Sequence, residues 1–577
     1  MLGARRDPER RLRKSTFEPA LARRDRLVVA ALSAGWLVCI ADFWLWWLRP
    51  AHRASYVGLA INSVLLLYVT LYPTVFVLSA NHLHRVRRSV PIPQLRVAFV
   101  VTRAPSEPFQ MVSRTLRAML IQDYPFTYDV WLCDERPSND VIAWCQQRGV
   151  RISTRDGAAS YQRDSWPRRV RCKEGNLSYF YDHWGYRRYD AVAQLDCDQV
   201  PSATYLASII RPFSDPAVGY VAAPSVCDTN AAASWAARGR VYREATFHGP
   251  FQLGYSKGYA PLCIGSHYAV RTAAIREIGG IGPELAEDFS TTFLLNAAGW
   301  QGVFAIDADA HGYGPATFQD MVVQEFQWAR SLAVILLGLV PRNLRLLSLR
   351  LRLRFLYALS YYLLLSGVTL AGLTLAPIAA VTGQPWINVN LFGFLAHIWS
   401  VAIWLILITA LLRRRGLLRP PSAPILSWEA WLYSLTRWPY VGLGVVAAVQ
   451  HHFRPRSVNF KITPKEASEH RPLPARLVAP FAVVSLAASA AALYGERSGG
   501  AAGYVFLCVV QAATYALAAC AVTVLHGAEI ARRSGARRRN SIRAASRGPL
   551  NWAVSAAAAS AIAVATYPAY AIHVFGW

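Results

Sequence analysis

The chain has 577 residues, of which 54% are hydrophobic and only 16% are charged, and its formal net charge is +27. About a quarter of the residues of an ordinary soluble protein are charged, so this composition argues against a wholly soluble chain. The basic residues stand in short runs beside long apolar segments, which is the positive-inside pattern of a membrane protein. We therefore expect the lipid bilayer as a partner of this chain, and not nucleic acid.

The nine cysteines are scattered, and no two of them form a CxxC pair. This pattern favours free thiols in a reducing compartment over a disulfide or zinc framework. A charged, polar stretch precedes the first apolar run, so no cleavable signal peptide is expected.

Long apolar runs predict membrane-spanning helices, because a crossing needs roughly 20 apolar residues. The run at 427–449 contains Glu429 and Arg437 among tryptophans, and we expect it to lie in the membrane interface instead. Seven spans are predicted, at 27–48, 56–80, 355–381, 391–412, 477–494 (the marginal one), 503–525 and 552–575.

Arginine clusters determine the predicted orientation, because Lys and Arg are enriched in cytoplasmic loops. Placing every cluster on the cytosolic side leaves the N-terminus and the segment 85–354 inside and Trp577 outside. The chain then divides into a basic N-terminus (1–26), two spans (27–84), a cytosolic domain with interfacial helices (85–354), two spans (355–412), an interfacial helix with a polar loop (413–476), two spans (477–526), a basic loop (527–551) and a last span (552–577).

The segment between the second and third spans predicts a soluble α/β domain. Short apolar runs rich in β-branched and aromatic residues alternate with helical stretches at 109–122 and 140–148. The strands are expected at 97–102, 128–133, 189–195 and 218–223. This alternation implies a mostly parallel sheet whose ligands bind at the carboxyl ends of the strands, where Asp134 and Asp196 stand.

Two carboxylates one residue apart follow the third of these strands, in the sequence Asp196-Cys197-Asp198. Both can reach one hard divalent cation, and such a cation commonly also binds the phosphates of a substrate. We therefore expect Mg²⁺ or Mn²⁺ at Asp196 and Asp198. A second pair of this kind, Asp307 and Asp309, is expected to be a plain turn.

The order of the motifs resembles that of the processive, membrane-integrated family 2 glycosyltransferases, in particular the bacterial cellulose synthase catalytic subunit. The resemblance covers residues 95–470. It comprises a first Asp after a strand, a KEGN motif, a DxD, an acidic pair, a QxxxW motif and a loop similar to the FxVTPK gating loop. These stand at Asp134, 173–176, 196–198, 287–288, 324–328 and 460–465.

The resemblance implies a GT-A-type α/β domain inserted in an α-helical transmembrane bundle, with a role for each motif. Asp288 would be the general base, with Glu287 beside it, and Asp196 and Asp198 would hold the metal. The nucleotide-sugar donor would contact Glu107, Asp134, Lys173, Asp196, Thr463 and Lys465. The acceptor would contact Trp328, Gln324 and Gln327.

The chain departs from the family pattern at several points. Gln327 stands where the family has an arginine near the diphosphate, and Arg330 is the expected substitute in donor binding. The tyrosine of the family's first-strand motif has no counterpart at 102–105. No PilZ domain is expected after the last span.

Plainer interpretations of three residues also stay open. Asp288 would serve as a helix N-cap, Trp328 as an interfacial anchor, and Lys173 as a solvated loop charge.

These observations predict a hexosyltransferase of the bacterial cytoplasmic membrane. It would be processive and inverting, forming β-linkages with sugar from UDP-glucose or a similar donor. Its further partners would be the growing glycan, which it would also translocate, and accessory export subunits. Two alternatives remain open: transfer of one sugar to a polyprenyl-phosphate or lipid acceptor, and a transporter with a non-catalytic cytosolic domain.

Overall fold

The structure is a computed structural model that describes residues 10–170, 172–454, 472–534 and 547–566. It combines a seven-stranded sheet, covered by helices, with a set of long apolar helices. The predicted gating loop, with Thr463 and Lys465, lies outside the described residues, as does the end of the last predicted span.

The central sheet contains the four predicted strands and three more. In chain order they are β1 (Val97–Arg103), β2 (Tyr128–Asp134), β3 (Arg151–Ser153), β4 (Ala191–Asp196), β5 (Val218–Ala222), β6 (His267–Arg271) and β7 (Gln301–Phe304). Side by side, their order is β7-β5-β6-β4-β1-β2-β3. All neighbours are parallel except β6, which runs antiparallel to β4 and β5. The sheet is therefore mostly parallel, as predicted.

Both faces of the sheet are buried, which explains why its strands are apolar throughout. Successive side chains of a strand point to opposite faces. On β1, Ala98 and Val100 belong to one buried cluster, whereas Val97, Phe99 and Val101 belong to another. Most polar residues of the strands stand at or near their ends, and the buried Gln194 of β4 is an exception.

Helices cover the sheet and continue beyond it. Those of six or more residues are α1 (Arg23–Trp47), α2 (Tyr56–Leu71), α3 (Thr74–Asn81), α4 (Phe109–Leu120), α5 (Asn139–Gln147), α6 (Lys173–Phe180), α7 (Tyr205–Ile210), α8 (Trp235–Glu244), α9 (Thr272–Glu277), α10 (Glu287–Ala297), α11 (Phe318–Asn343), α12 (Leu349–Thr382), α13 (Leu391–Arg414), α14 (Trp428–Phe453), α15 (Ala479–Arg497), α16 (Ala502–Ser534) and α17 (Arg547–Thr566).

Within the described part of the chain, eight helical segments are long and apolar enough to cross a membrane. Seven of them overlap the predicted spans. The eighth, Phe318–Leu346, contains α11, which the sequence placed with the cytosolic domain. α14, expected to lie in the interface, is not among the eight. The chain is a multi-pass membrane protein.

Two glycines bring the α/β domain into close contact with the helices that follow it. A Cβ added at Gly239 of α8 would lie 2.7 Å from the carbonyl oxygen of Glu429 in α14. One added at Gly444 of α14 would lie 2.6 Å from the carbonyl oxygen of Phe326 in α11. No side chain fits at either contact, so α14 packs directly against both α8 and α11.

Candidate active site

Lys173, the first residue of α6, contacts other residues of the predicted site. Its ammonium donates to Oδ1 of Asp196 at 2.7 Å and to the carbonyl oxygen of Gly265 at 2.6 Å. The Lys173 side chain is only 16% exposed. Burial alone lowers the pKa of Lys173, but Asp196 and Glu287 outweigh that effect and raise it. Lys173 is therefore a buried, paired cation, not a solvated loop charge.

The residues after Lys173 hold it in place. A Cβ at Gly175 would lie 2.1 Å from Nη1 of Arg155, so only glycine fits there. The Glu174 carboxylate accepts hydrogen bonds from the N–H groups of Arg168 and Arg169, at 2.8 and 2.9 Å. These contacts fasten the preceding loop to the start of α6, which fixes the direction from which Lys173 enters the site.

Two further residues in this support were not recognised from the sequence. Arg155 is completely buried and donates to both carboxylate oxygens of Glu135, at 2.6 and 2.8 Å. It also donates to the carbonyl oxygens of Tyr161 and Arg169. A single arginine therefore joins the end of β2 to the loop before α6. The only sequence signal was the position of Glu135, directly after Asp134 at a strand end.

The DxD lies at the carboxyl end of β4. Asp196 ends the strand, and its N–H donates to the carbonyl oxygen of Ser266 at 2.7 Å. Asp198 is 2% exposed, and its Oδ2 accepts from the N–H of Tyr313 at 2.9 Å. Asp196 therefore lies beside the loop before β6, and Asp198 beside the backbone of Tyr313.

These carboxylates fit a hard cation such as Mg²⁺ or Mn²⁺. No group of three or more His, Cys, Asp or Glu side chains in the described residues forms a complete metal cage. Mg²⁺ does not require one, because it is commonly held by one or two carboxylates, with water and substrate phosphates completing its coordination. The second pair lies at a turn and contacts arginines: Asp307 lies 3.9 Å from Arg88, and Asp309 lies 3.3 Å from Arg419.

The acidic pair opens α10 and lies close to Gly265. The Oδ1 atom of Asp288 accepts from the N–H of Phe289 at 2.7 Å. A Cβ at Gly265 would lie 3.3 Å from Oδ2 of Asp288, so the glycine leaves room for this carboxylate. The N-cap position is occupied by Ala286, and Asp288 lies inside the first turn. The plainer interpretation of Asp288 as the N-cap is therefore wrong.

Burial governs the protonation of this pair. It raises the pKa of Asp288, against the opposing effects of two backbone N–H groups and of Lys173. Burial and the adjacent Asp288 carboxylate raise the pKa of Glu287 as well. A carboxylate with a raised pKa is suited to accept a proton near neutral pH.

The two residues expected near the nucleoside already have protein partners. Asp134 is completely buried, and its Oδ2 accepts from Nη1 of Arg103 at 2.7 Å. Oε2 of Glu107 accepts from the N–H of Ala104 at 2.8 Å. Arg103 was not recognised from the sequence, although it lies at the end of β1 in register with Asp134 on β2.

The QxxxW motif lies on α11. The Trp328 ring is covered on one side by the guanidinium of Arg240, whose Cζ lies 4.7 Å from the ring centre. Gln327 is partly buried. The amide oxygen of Gln324 is buried and has no hydrogen-bond partner among the described residues. It is therefore an acceptor that the described residues leave unsatisfied.

Arg330, the expected substitute for the family arginine, is 5% exposed. The charged groups that act on its guanidinium are Glu284 and Arg169. Glu284 belongs to the loop that leads to Glu287, and Arg169 to the loop that leads to Lys173. Arg330 is therefore near enough to be affected by charged groups on the two loops that lead to the central site residues.

A model of the "Glycosyl transferase family group 2" matches residues 191–441. The cellulose synthase catalytic subunit of Xanthomonas axonopodis pv. citri is 26% identical over 347 residues, which are 55% of this chain and 44% of that protein. The cellulose synthase 1 catalytic subunit of Komagataeibacter xylinus is 25% identical over 239 residues, 40% of this chain and 30% of that protein.

The chain thus spans less than half the length of either relative. Among solved structures, a mannosyltransferase from Pyrobaculum calidifontis in complex with GDP-Man and Mn²⁺ has a TM-score of 0.46 and 14% identity, covering 68% of this chain and 98% of that one. The residues matched by the family model, 191–441, include the DxD, the acidic pair and the QxxxW motif of this chain. The chain is therefore similar to the family 2 glycosyltransferases and, among curated proteins, to cellulose synthase catalytic subunits.

Proposed function

We propose that the protein is a processive, inverting β-hexosyltransferase that polymerises sugar from UDP-glucose or a similar nucleotide-sugar. The observation that carries this proposal is the convergence of Lys173, Asp196 and Asp288 around the backbone of Gly265. A cation, a metal-binding carboxylate and a carboxylate base are the groups that transfer from a sugar diphosphate requires.

The donor diphosphate would lie at the carboxyl end of β4. A divalent cation held there by Asp196 and Asp198 would supply positive charge to the departing diphosphate. Lys173 would add a second positive charge, since its ammonium already lies beside Asp196. Arg330, on α11, would contribute a further positive charge.

Asp288 would take the proton from the acceptor. As the acceptor hydroxyl oxygen bonds to the anomeric carbon, the bond from that carbon to the diphosphate oxygen breaks. The hydroxyl proton passes to Oδ2 of Asp288, because Oδ1 is engaged by Phe289. Attack from the side opposite the leaving group inverts the anomeric centre, so an α-linked donor yields a β-linked product.

The acceptor would rest on α11. The apolar face of a sugar ring suits the Trp328 ring, and the unpaired amide oxygen of Gln324 would accept from a sugar hydroxyl. α11 belongs to a segment long and apolar enough to enter the membrane. A glycan held at Trp328 would therefore start at the mouth of a path between the helices, and this supports translocation of the product.

The α/β domain and the N-terminus would face the cytosol of a bacterial inner membrane, because the arginine clusters favour that side. Accessory export subunits would receive the polymer on the other side.

A donor screen tests the proposal. Purified protein in lipid nanodiscs is incubated with radiolabelled UDP-glucose, UDP-GlcNAc or GDP-mannose and Mg²⁺ or Mn²⁺, and the product is sized. We expect a polymer that does not extract into organic solvent from one UDP-sugar, no polymer from Asp196→Ala, and greatly reduced polymer from Asp288→Asn. A label that extracts into organic solvent with one sugar per lipid would favour the lipid-acceptor alternative. No transfer from any donor would favour the transporter.

A further inference from the structure

A cavity of about 360 Å³ is bordered by α6 and the segment after it, by α9, and by two loops at 163–168 and 279–281. Small-molecule pockets in proteins have volumes of about 300–1,000 Å³, so the cavity is large enough for a small ligand. The residues that line it do not include Lys173, Asp196 or Asp288. The cavity is therefore separate from the proposed donor site.

Two of the three arginines that line the cavity have no carboxylate partner among the described residues. The guanidinium of Arg163 forms no hydrogen bond or ion pair with them. That of Arg276 donates to the carbonyl oxygen of Tyr186 at 3.1 Å. The third, Arg168, is paired with Asp182 at 2.8 Å. Two guanidinium groups without a carboxylate partner favour an anionic ligand, and the guanidinium group matches the geometry of phosphate.

The cavity also presents groups that an inorganic anion would not use. Tyr181 is 1% exposed, and its hydroxyl has no hydrogen-bond partner among the described residues. The carboxylates of Glu174 and Asp182 also belong to the lining. A sugar hydroxyl can donate to a carboxylate and accept from a tyrosine. A ligand that carries both a phosphate and several hydroxyls would therefore satisfy both kinds of lining group.

The two loops that border the cavity lead to the candidate active site. The first loop precedes Lys173 in the chain, and the second precedes Glu287. They are joined by one hydrogen bond, in which Nε1 of Trp166 donates to the carbonyl oxygen of Ile281 at 2.9 Å. A ligand bound between the loops would restrain both of them. It would thereby affect the donor site, and the coupling between two binding sites is reciprocal.

We propose that this cavity binds a sugar phosphate and that the bound ligand strengthens nucleotide binding at the donor site. Arg163 and Arg276 would hold the phosphate, while Tyr181, Glu174 and Asp182 would bind the sugar hydroxyls. The binding site itself does not depend on the proposed function. The coupling rests on the proposed function, because it requires a nucleotide site.

Equilibrium binding to the full-length protein in nanodiscs tests this inference. The probes are glucose 6-phosphate, inorganic phosphate and glucose, each with and without saturating UDP and Mg²⁺. The cavity variants are Arg163→Gln/Arg276→Gln and Tyr181→Phe. Arg187→Gln is the matched control, because Arg187 is an exposed arginine in the segment after α6 and does not line the cavity. Asp196→Ala shows whether a probe binds at the donor site instead.

Wild type, Arg187→Gln and Asp196→Ala are expected to bind glucose 6-phosphate with the same affinity. Each should bind inorganic phosphate and glucose more weakly. The double variant should bind glucose 6-phosphate about 10- to 150-fold more weakly, the range for a hydrogen bond to a charged group, and Tyr181→Phe a few-fold more weakly. Saturating UDP should raise the affinity of wild type for glucose 6-phosphate about 5-fold or more, as is usual for coupled sites.

Equal binding by wild type and the double variant, no binding by wild type, or loss of binding in Asp196→Ala would overturn the inference and leave the proposed function intact. Inorganic phosphate that binds as tightly as glucose 6-phosphate would overturn the assigned ligand class. An affinity for glucose 6-phosphate that UDP leaves unchanged, in protein that binds UDP, would overturn the coupling. Failure of wild type to bind UDP would instead contradict the proposed function, and the variants compared without UDP would still decide the cavity.

Discussion

Glu325 of α11 and Arg437 of α14 form an ion pair that is almost completely shielded from water. Their exposed fractions are 0% and 2%, and Nη1 of Arg437 lies 3.2 and 3.1 Å from the two carboxylate oxygens. The hydroxyl of Tyr433 donates to the same carboxylate at 2.7 Å. The pair joins the helix of Trp328 to the helix that packs on the α/β domain.

Removing one partner is expected to destabilise the protein severely. Arg437→Met would leave the buried Glu325 carboxylate with only the more distant Arg243, 3.9 Å away, and loss of a buried pair's partner typically costs up to about 3–5 kcal/mol. The double variant Glu325→Gln/Arg437→Met removes both charges and should recover most of that loss. Thermal unfolding in detergent measures the effect. Equal stability of the single and double variants would mean that the charge pairing is not what holds these helices.

Asp288→Asn is expected to lower turnover by about 10²–10⁴-fold, the usual contribution of a general base. Donor affinity should change by only a few-fold, because the diphosphate is held at Asp196 and Asp198. Direct UDP binding and initial rates separate the two effects. If donor affinity falls as much as turnover, Asp288 has a structural role and is not the base.

The raised pKa of Asp288 predicts the acidic side of the pH profile. The carboxylate accepts a proton only when ionised, so kcat/KM should fall as pH drops through the raised pKa. This loss is expected at mildly acidic pH, above the range in which an exposed aspartate titrates. A profile that stays flat until strongly acidic pH would contradict the assignment.

Arg330→Ala is expected to cost about 10- to 150-fold in donor binding or rate, the range for a charge-assisted hydrogen bond. Arg342 is an exposed arginine on the same helix, so Arg342→Ala is the control and should leave donor binding and rate unchanged. Gln327→Arg should be tolerated and should partly rescue Arg330→Ala. If the single variant Gln327→Arg loses activity, Gln327 has a function of its own, such as acceptor binding.

Arg240→Gln removes the cation that lies over Trp328. Cation–π contacts contribute roughly 0.5–2 kcal/mol, so the KM for an oligosaccharide acceptor should rise by a few-fold to about 30-fold. The KM for the donor should stay the same. Trp328→Phe, which keeps an aromatic ring, should lose less than Trp328→Ala. A parallel rise in both KM values would show that Arg240 does not act through the acceptor.

The local pattern was enough to predict much of the fold. The four expected strands form because each is an apolar run buried on both faces, a signal that the sequence carries directly. β6 was missed because it is short and has His267 and Arg271 at its ends. The predicted span 56–80 contains Pro73, and the structure divides it there into α2 and α3.

The candidate site was predictable where motifs stand at strand or helix ends, as with Lys173, Asp196 and Asp288. The arginines that pair with other site and helix residues were not predictable, because these pairs form only through tertiary contacts. Arg103 and Asp134 end the neighbouring strands β1 and β2, and Arg437 is 112 residues from Glu325. Neither arginine differs locally from the many other arginines of this chain.

Processive polymerisation at this site is tested most directly by the length of the product early in the reaction. Nanodisc-embedded protein is given a short pulse of the radiolabelled donor, then a chase with excess unlabelled donor, and the labelled chains are sized at successive times. We predict long chains while most of the donor is still unused, with label that stays in the same growing chains during the chase. Short products whose average length rises only as the donor is consumed, or a single sugar on a lipid, would contradict the proposal.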